Sequence, residues 1–307
     1  MSDTIWELLA PHPADASAIG AADRPWLTHG ALRELAAATV QRLNDLGIGR
    51  NDRVAMVLPN GPEMAAAFIA IGCGATTVPL NPAYREEEYD FYISDLSARA
   101  LVVTADYHGP ALAVAEKHGV RVLRLTTGAD WPAGRFELQA TDEAAGGAGL
   151  SGFAGSDEVA LVLHTSGTTS RPKIVPLLQR NLAASARHIG TTLALTPQDR
   201  CLNIMPLFHI HGLIAAVLSS LAAGGPIWCA PGFNALQFFS WLTTAGPTWY
   251  TAVPTMHQTI LARAERNRTA AREAGLRFIR SSSASLPPQV MTALEATFHC
   301  PVIESYG

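Results

Sequence analysis

Residues 164–175 read HTSGTTSRPKIV, and this stretch decides how the rest of the chain is interpreted. Small and hydroxylated residues follow one another between two segments rich in Val, Leu and Ile, and Lys173 comes near the end of the run. Glycine lets the backbone approach a ligand closely, and amide and hydroxyl groups donate hydrogen bonds without steric bulk. The stretch therefore predicts a loop between two strands that can bind an anion.

A solvated hairpin loop is the alternative interpretation, since Gly, Ser and Thr are also common in turns that bind nothing. Two nucleotide-binding motifs do not fit the spacing. A Walker loop needs GxxxxGK[ST] at the start of a helix, whereas Gly167 is followed by TTSRPKIV and then by strand-like residues. The segment GCGATT at 72–77 follows a helical run and lacks the third glycine of a dinucleotide fingerprint.

Outward from the loop, short β-branched runs alternate with longer helical stretches in both directions. This rhythm is typical of βα units, so the sequence predicts an α/β fold with two doubly wound, largely parallel sheet subdomains. Residues 126–157 lose the apolar period and are rich in Gly, Ala and Asp. We therefore predict a first subdomain with its linker at 1–155 and a second at 156–307. The helices predicted in the second half cover 179–194, 212–223, 234–245, a stretch from about 255, and 287–297.

The composition excludes several classes of protein. With 307 residues, 48% of them hydrophobic, the chain can bury one large core or two ordinary ones. There are 22 Lys and Arg against 26 Asp and Glu, without a basic stripe, so we expect no nucleic-acid partner. The longest apolar runs are shorter than the roughly 18 residues that a membrane span needs. We expect a cytoplasmic protein without a membrane span. The sequence is compatible with a homo-oligomer.

The four cysteines give no sign of a metal site. Cys73, Cys201, Cys229 and Cys300 lie far apart, with neither a CxxC pair nor a zinc-type spacing to histidine. Each lies in an apolar or strand-like context. We predict that they pack in the core, and we predict no metal ligand in this chain.

Several motifs in a fixed order resemble those of the adenylate-forming enzymes, a superfamily of acyl-CoA synthetases, luciferases and peptide-synthetase adenylation domains. TSGTTSRPK is similar to the superfamily's phosphate-loop signature TSGTTGxPKG, with Ser170 at the second loop glycine and Ile174 where a glycine usually follows the lysine. The other matching segments are NPAYREEEY (81–89), PLFHIHG (206–212), RSSSASLPP (280–288) and ESYG (304–307). Within the superfamily the sequence resembles the oxalate–CoA ligase branch most.

This resemblance implies an ATP-dependent acid–CoA ligase. Such an enzyme joins a carboxylate to the α-phosphate of ATP, expels pyrophosphate, and then lets the thiol of coenzyme A displace AMP. ATP, Mg²⁺ and coenzyme A are the implied cofactors, and the implied partner is a small carboxylic acid. The hydroxyl-rich segment RSSSASL favours a small polar pocket, hence an acid such as oxalate. An adenylation domain that loads a carrier-protein thiol and a non-catalytic nucleotide-binding fragment are the alternatives.

The resemblance also implies roles for individual residues. Lys173 and His209 would be catalytic, and Phe208, His209, Ser282 and Ser283 would line the acid pocket. The residues implied to bind the nucleotide are Thr165, Ser166, Gly167, Thr168, Thr169, Lys173, Ser283, Ala284, Ser285, Glu304, Ser305, Tyr306 and Gly307. We interpret His211 and His257 as packing residues and leave Arg280 out of the site.

The sequence ends at ESYG, which matches the beginning of the family's YGxTE motif. By resemblance, a metal-coordinating glutamate and a smaller lysine-bearing domain would follow. We therefore expect the 307 residues to be incomplete at the C-terminus and inactive by themselves.

Overall fold

The computed structural model describes residues 3–141, 150–165 and 173–305. These residues form two seven-stranded, mostly parallel sheets with helices packed on them, which confirms the predicted α/β fold class.

The bounds of the elements are as follows. The strands are β1 Ser17–Gly20, β2 Leu27–Thr28, β3 Arg53–Val57, β4 Thr76–Pro79, β5 Ala100–Thr104, β6 Arg121–Thr126, β7 Glu137–Ala140, β8 Val159–Thr165, β9 Lys173–Leu178, β10 Cys201–Asn203, β11 Ile227–Cys229, β12 Trp249–Ala252, β13 Phe278–Ser282 and β14 Val302–Ser305. The α-helices are α1 Ile5–Leu9, α2 His29–Asp45, α3 Pro62–Gly72, α4 Glu86–Asp95, α5 Ala111–Lys117, α6 Gln179–Thr192, α7 Ser219–Ala222, α8 Phe238–Ala245, α9 Pro254–Ala264, α10 Arg268–Arg272 and α11 Pro288–Phe298. A π-helix covers His211–Leu218, and a short 3₁₀ turn covers Glu265–Asn267.

The two sheets are defined by their strand order. Sheet A runs β7-β6-β5-β3-β4-β8-β9, and sheet B runs β14-β13-β12-β10-β11-β1-β2. In sheet A the central strands are parallel, while β7 and β9 pair antiparallel at the edges. In sheet B only β2 is antiparallel to its neighbour. The carboxyl ends of the parallel strands are where such sheets bind ligands.

Each sheet includes strands from both sides of the predicted subdomain boundary. Strands β8 and β9 come after residue 156 and complete sheet A, whereas β1 and β2 come from the first 28 residues and complete the edge of sheet B. The boundary at 155 stays a prediction about the chain, but each sheet contains strands from both sides of it.

The main core lies between the two sheets. Helix α3 is buried at every position except Glu63, and the π-helix is buried along its whole length. Residues of both helices pack with β3 of sheet A and β11 of sheet B in one continuous apolar cluster. A helix that is apolar on every side needs neighbours on every side, so these two helices form the central layer of an αβαβα sandwich.

Two further clusters cover the outer faces of the sheets. On sheet A, Tyr89 and Ile93 of α4 and Val114 of α5 pack against the strands. On sheet B, helices α8 to α11 cover a cluster that includes Tyr250 and Phe298. The four free cysteines are all buried, which confirms their predicted packing role.

The helices predicted after the loop form with small shifts in their bounds. The predicted helix at 179–194 ends at Thr192, because Ala194 adopts a left-handed conformation with φ 47°. The helix predicted at 234–245 begins only at Phe238, since the side chain of Asn234 accepts a hydrogen bond from the Leu236 amide in a preceding turn. None of the described helices has the length and apolar character that crossing a bilayer requires.

The helix predicted over 212–223 forms, and most of it winds more widely than an α-helix. The segment winds as a π-helix up to Leu218 and becomes an α-helix only for Ser219–Ala222. Such segments are rare and often occur at functional sites. This one begins at His211, so the widened turn helps to set where that histidine lies.

Candidate functional site

A cleft of about 560 Å³ opens where the carboxyl ends of the two sheets meet. The wall on sheet A comes from the residues that follow β4 and from the end of β8, whereas the wall on sheet B comes from the residues that follow β10, β12 and β13. The lining residues are Pro79, Leu80, Asn81, Tyr84, Tyr92, Leu163, His164, Met205, Phe208, His209, Ile210, His211, Val253 and Ser283. Both sheets therefore direct their ligand-binding ends at one space.

A second pocket of about 440 Å³ adjoins the cleft on the side of sheet B. It is lined by Arg280, Ser282, Glu304 and Ser305, and by residues of α6. Ile210, His211 and Ser283 line both cavities, so these three residues form the wall between them.

His211 is the centre of a buried polar network. Its Nδ1 lies 3.1 Å from the Ser283 hydroxyl, and its Nε2 lies 2.6 Å from the Thr251 hydroxyl and 3.1 Å from a guanidinium nitrogen of Arg280. Because the guanidinium can only donate, Nε2 must accept, and Nδ1 carries the proton towards Ser283. Burial and the charge of Arg280 lower the pKa of His211 to about 3, so the ring is neutral near pH 7.

Arg280 is a buried charge among neutral partners. Its side chain also donates to the hydroxyls of Thr251 at 3.2 Å and Ser305 at 2.6 Å, and the residue is only 7% exposed. Among the described residues no carboxylate pairs with it. Burial lowers the pKa of Arg280, but arginine stays charged in proteins. Because an unpaired buried charge is costly, the position favours an anionic ligand in the adjoining pocket.

The four predicted site residues at the end of β13 and just after it differ in exposure. Ser282 is buried, whereas Ser283, Ala284 and Ser285 are exposed. Ser283 has φ 73°, a left-handed conformation that a residue with a side chain seldom adopts. Strain of this kind costs about 1–3 kcal/mol and tends to occur at functional sites. Here it accompanies the bond between the Ser283 hydroxyl and His211.

The two predicted residues of β14 face the same pocket. A carboxylate oxygen of Glu304 accepts a hydrogen bond from the Leu286 amide at 2.7 Å, and the Ser305 hydroxyl accepts one from Arg280. Both residues also line the second pocket. The structure therefore brings Ser282, Ser283, Glu304 and Ser305 together.

His209 and Phe208 follow β10 at the mouth of the cleft. Their rings lie 4.5 Å apart between centroids, and His209 is exposed at the surface. The surrounding protein atoms remove part of the water around the His209 ring and thereby lower its pKa. Its ring is thus mainly neutral near pH 7 and can donate one hydrogen bond.

The strands on either side of the quoted loop form an antiparallel pair. Thr165 at the end of β8 lies opposite Lys173 at the start of β9, and Lys173 is exposed. The sequence prediction of a loop between two strands is thus confirmed at both flanks. The predicted site residues Ser166, Gly167, Thr168, Thr169, Tyr306 and Gly307 lie outside the described residues.

Sequence reasoning missed His211, Arg280 and Thr251. The available signal was Arg280 within the apolar run LRFIRS, because a charge in a buried strand needs a partner. The partner could not be identified from the sequence, since Thr251 comes beside Arg280 only through the parallel register of β12 and β13.

Within residues 3–141, 150–165 and 173–305, no three side chains of His, Cys, Asp or Glu converge closely enough to hold a metal ion.

The fold and the cleft define a class of α/β protein that binds ligands between the carboxyl ends of two largely parallel sheets. A family model described as AMP-binding enzyme matches residues 6–307. The chain belongs to this family, which confirms the resemblance carried by the loop and the later motifs.

Individual relatives agree with this result. An oxalate–CoA ligase from Arabidopsis thaliana is 40% identical over 316 aligned residues, covering 100% of this chain and 60% of the relative. An oxalate–CoA ligase from Saccharomyces cerevisiae is 34% identical and covers 84% of this chain and 51% of the relative. The crystal structure of ATP-bound MatB from Rhodopseudomonas palustris matches with a TM-score of 0.82 at 28% identity. The match covers 100% of this chain and 60% of the MatB chain. The chain thus spans between 51% and 60% of the length of these three proteins.

Proposed function

We propose that the protein is an ATP-dependent acid–CoA ligase, AMP-forming, that acts on a small acid with a second anionic group, such as oxalate. The observation that carries the choice of acid is Arg280, which is buried beside the cleft and whose hydrogen-bond partners among the described residues are all neutral. The second carboxylate of a short diacid would supply the missing negative charge. The similarity to two oxalate–CoA ligases supports the same class of substrate.

The acid would be held on the wall of sheet B. Arg280 offers the charge, while the Ser283 hydroxyl, held by His211, offers a further hydrogen bond. Because His211 is neutral and its two nitrogens are engaged, it would orient these groups without adding charge. Fixing the diacid at one end leaves the other carboxylate free to meet the α-phosphate, and such positioning is the main contribution of an enzyme to this step.

ATP would lie across the mouth of the cleft. Lys173, exposed beside the end of β8, would attract the β- and γ-phosphates together with the neighbouring loop residues Ser166, Gly167, Thr168 and Thr169. The residues proposed beside the adenine and ribose are Ser283, Ala284, Ser285, Glu304, Ser305, Tyr306 and Gly307. His209, with Phe208 against it, would donate a hydrogen bond to the reacting carboxylate or the α-phosphate.

Mg²⁺ would come with ATP, where it neutralises phosphate charge. The described residues contain no group of three ligands for it, so phosphate oxygens and water would hold most of its coordination sites. Coenzyme A is the proposed thiol because the relatives that match are CoA ligases. Loading of a carrier protein is the less favoured alternative. Inactivity of the 307 residues by themselves stays a prediction, which a pyrophosphate-release assay on this chain tests.

The experiment that tests the choice of acid compares Arg280→Met with Arg280→Lys in the full-length protein. Acid-dependent ATP–pyrophosphate exchange is measured with oxalate and with acetate. Losing a charge-assisted contact costs about 1.5–3 kcal/mol, so Arg280→Met should lose about 10- to 150-fold in kcat/KM for oxalate. It should change acetate much less, and Arg280→Lys should recover part of the loss.

The matched control is Arg266→Met, which removes an exposed arginine outside both pockets. Equal losses of kcat/KM for oxalate and acetate in Arg280→Met, with an intact circular dichroism spectrum, would show that Arg280 does not bind the second carboxylate.

A further inference from the structure

A histidine–carboxylate pair lies on the wall of the cleft that belongs to sheet A. His164 is in β8, its side chain is 7% exposed, and it lines the cleft together with Tyr84 and Tyr92. Its Nε2 lies 3.3 Å from a carboxylate oxygen of Asp95, the last residue of α4. The proposed contacts to the acid and to ATP leave this pair unused.

The pairing sets which nitrogen can accept a proton. A carboxylate only accepts hydrogen bonds, so Nε2 of His164 carries the hydrogen and Nδ1 keeps its lone pair. The ring plane is held by Tyr92, whose ring stands edge-on at 4.5 Å between centroids. This is the arrangement of a general base, in which a carboxylate orients the imidazole and stabilises the imidazolium that forms.

The groups around His164 favour a neutral ring that can take up a proton. Burial lowers the pKa of His164, and Asp95 partly offsets this. From α4 it is faced by Asp95 and Tyr92, and across the cleft stand His209 and His211, whose pKa values are lowered. Tyr84 lies on the same wall, and burial raises its pKa, so it stays protonated. On β9, Ile174 is opposite His164 in the register, while Lys173 is opposite Thr165.

The two walls of the cleft would have different roles: sheet B would hold the acid, and sheet A would face the attacking thiol. If the acid is held by Arg280 and Ser283 on sheet B, the acyl carbon is open to attack from the side of sheet A. A thiol has an ordinary pKa of about 8.5, so only a few per cent is ionised at pH 7. A base on the open wall would therefore increase the fraction of the nucleophilic thiolate.

We propose that His164, oriented by Asp95, is the general base that deprotonates the acyl-acceptor thiol in the thioester-forming step. Nδ1 takes the proton from sulfur, sulfur forms a bond to the acyl carbon, and the bond from that carbon to the AMP oxygen breaks. AMP leaves as its anion, and the imidazolium returns its proton to water. The inference rests on the proposed ligase function and adds a residue to its second half-reaction.

The test separates the two half-reactions in the full-length protein. Acid-dependent ATP–pyrophosphate exchange reports adenylation, and hydroxylamine trapping reports the acyl-adenylate without any thiol. Thioester formation with coenzyme A is then followed from pH 6 to pH 9.5. The variants are His164→Gln, His164→Asn and Asp95→Asn.

The chain provides a matched control on the same helix. His118 pairs with Asp90 of α4 at 2.6 Å, outside the cleft. His118→Gln and Asp90→Asn remove a pair of the same kind without touching the proposed base. Both controls should form thioester at the unaltered rate.

We expect His164→Gln to retain exchange and trapping within about 3-fold, and to lose about 10- to 30-fold in thioester formation at pH 7, because ionisation of the thiol limits the gain. Near pH 9.5 the free thiol ionises by itself, so the loss should shrink to below about 3-fold. Asp95→Asn should give a smaller loss with the same pH dependence. A purely structural role for His164 would not produce recovery at high pH.

The proposal is overturned if thioester formation is unchanged in both His164 variants, or if its loss is the same at pH 7 and pH 9.5. It is also overturned if exchange falls as much as thioester formation in variants that stay folded. Failure of the unaltered protein to exchange with any acid would instead contradict the ligase function itself.

Discussion

At the residue scale, the site depends on a small set of side chains that only the fold brings together. His211, Thr251 and Arg280 come from three separate segments and meet through hydrogen bonds of 2.6–3.2 Å. The sequence indicated the Ser-rich segment after β13 and the pair Phe208 and His209, because their motifs are local. It could not indicate a network whose members are 29 to 69 residues apart in the chain.

One prediction at this scale concerns Thr251. Its hydroxyl bonds both His211 and Arg280, and the residue is fully buried. Thr251→Val keeps the shape but leaves two polar groups short of a partner, which costs about 1–3 kcal/mol. We expect about a 10-fold higher KM for oxalate in the exchange assay. Thr259→Val, which removes an exposed hydroxyl on α9, is the control and should leave the KM unchanged.

At the scale of elements, the βα rhythm predicted most helices and strands, and the exceptions have local causes. The helix predicted over 212–223 forms, but its first part, His211–Leu218, is a π-helix in which every residue is buried between the sheets. Hydrophobic periodicity cannot distinguish a π-helix from an α-helix over eight residues, because a helix buried on all sides shows no polar face.

Gly212, the second residue of this π-helix, is predicted to tolerate no side chain. A Cβ at this position would come within 2.5 Å of the carbonyl oxygen of Pro206. Since the obstacle is backbone, Gly212→Ala should force a shift that costs about 1–3 kcal/mol. Urea unfolding measures this loss. Gly190→Ala in α6, where a Cβ would meet nothing within 4 Å, should be neutral or stabilising; equal losses would contradict the steric argument.

At the scale of the whole molecule, two sheets share one central layer of helices, and each sheet is completed by strands from the other half of the chain. The sequence predicted two doubly wound halves correctly as a fold class. It did not predict the exchange of edge strands, because β1 and β2 are short and their partners are set by tertiary contacts rather than by the local pattern. The exchange places β8 in sheet A and therefore puts His164 opposite the wall of the cleft that belongs to sheet B.

Several buried histidines link the stability of the molecule to pH. Burial lowers the pKa of His29 and of His257 from 6.5 to about 4. Below pH 6.5 these histidines bind protons in the unfolded chain, whereas in the folded chain they stay neutral until about pH 4. The free energy of unfolding is therefore unaffected by these two histidines above pH 6.5, and it decreases as the pH falls from 6.5 towards 4. The shift corresponds to about 3 kcal/mol per histidine.

We expect the free energy of unfolding, measured with urea, to decrease steeply between pH 6.5 and pH 4. His29→Gln should flatten this decrease, because glutamine does not titrate. His188→Gln replaces an exposed histidine and should leave the slope unchanged. A slope unaffected by His29→Gln would show that His29 is not a source of the acid sensitivity.

Arg280, buried beside the cleft, is proposed to select a small diacid for adenylation, and ATP–pyrophosphate exchange over a series of acids is the direct test of this selection. The series runs through acetate, oxalate, malonate, octanoate and palmitate on the full-length protein. We expect the highest kcat/KM for a short diacid and little exchange with the fatty acids, because Arg280 needs an anion. An apolar tunnel would instead gain about 0.8 kcal/mol per buried CH₂. A rate that rises steadily from acetate to palmitate, with no response to oxalate or malonate, would show that the protein does not select a short diacid.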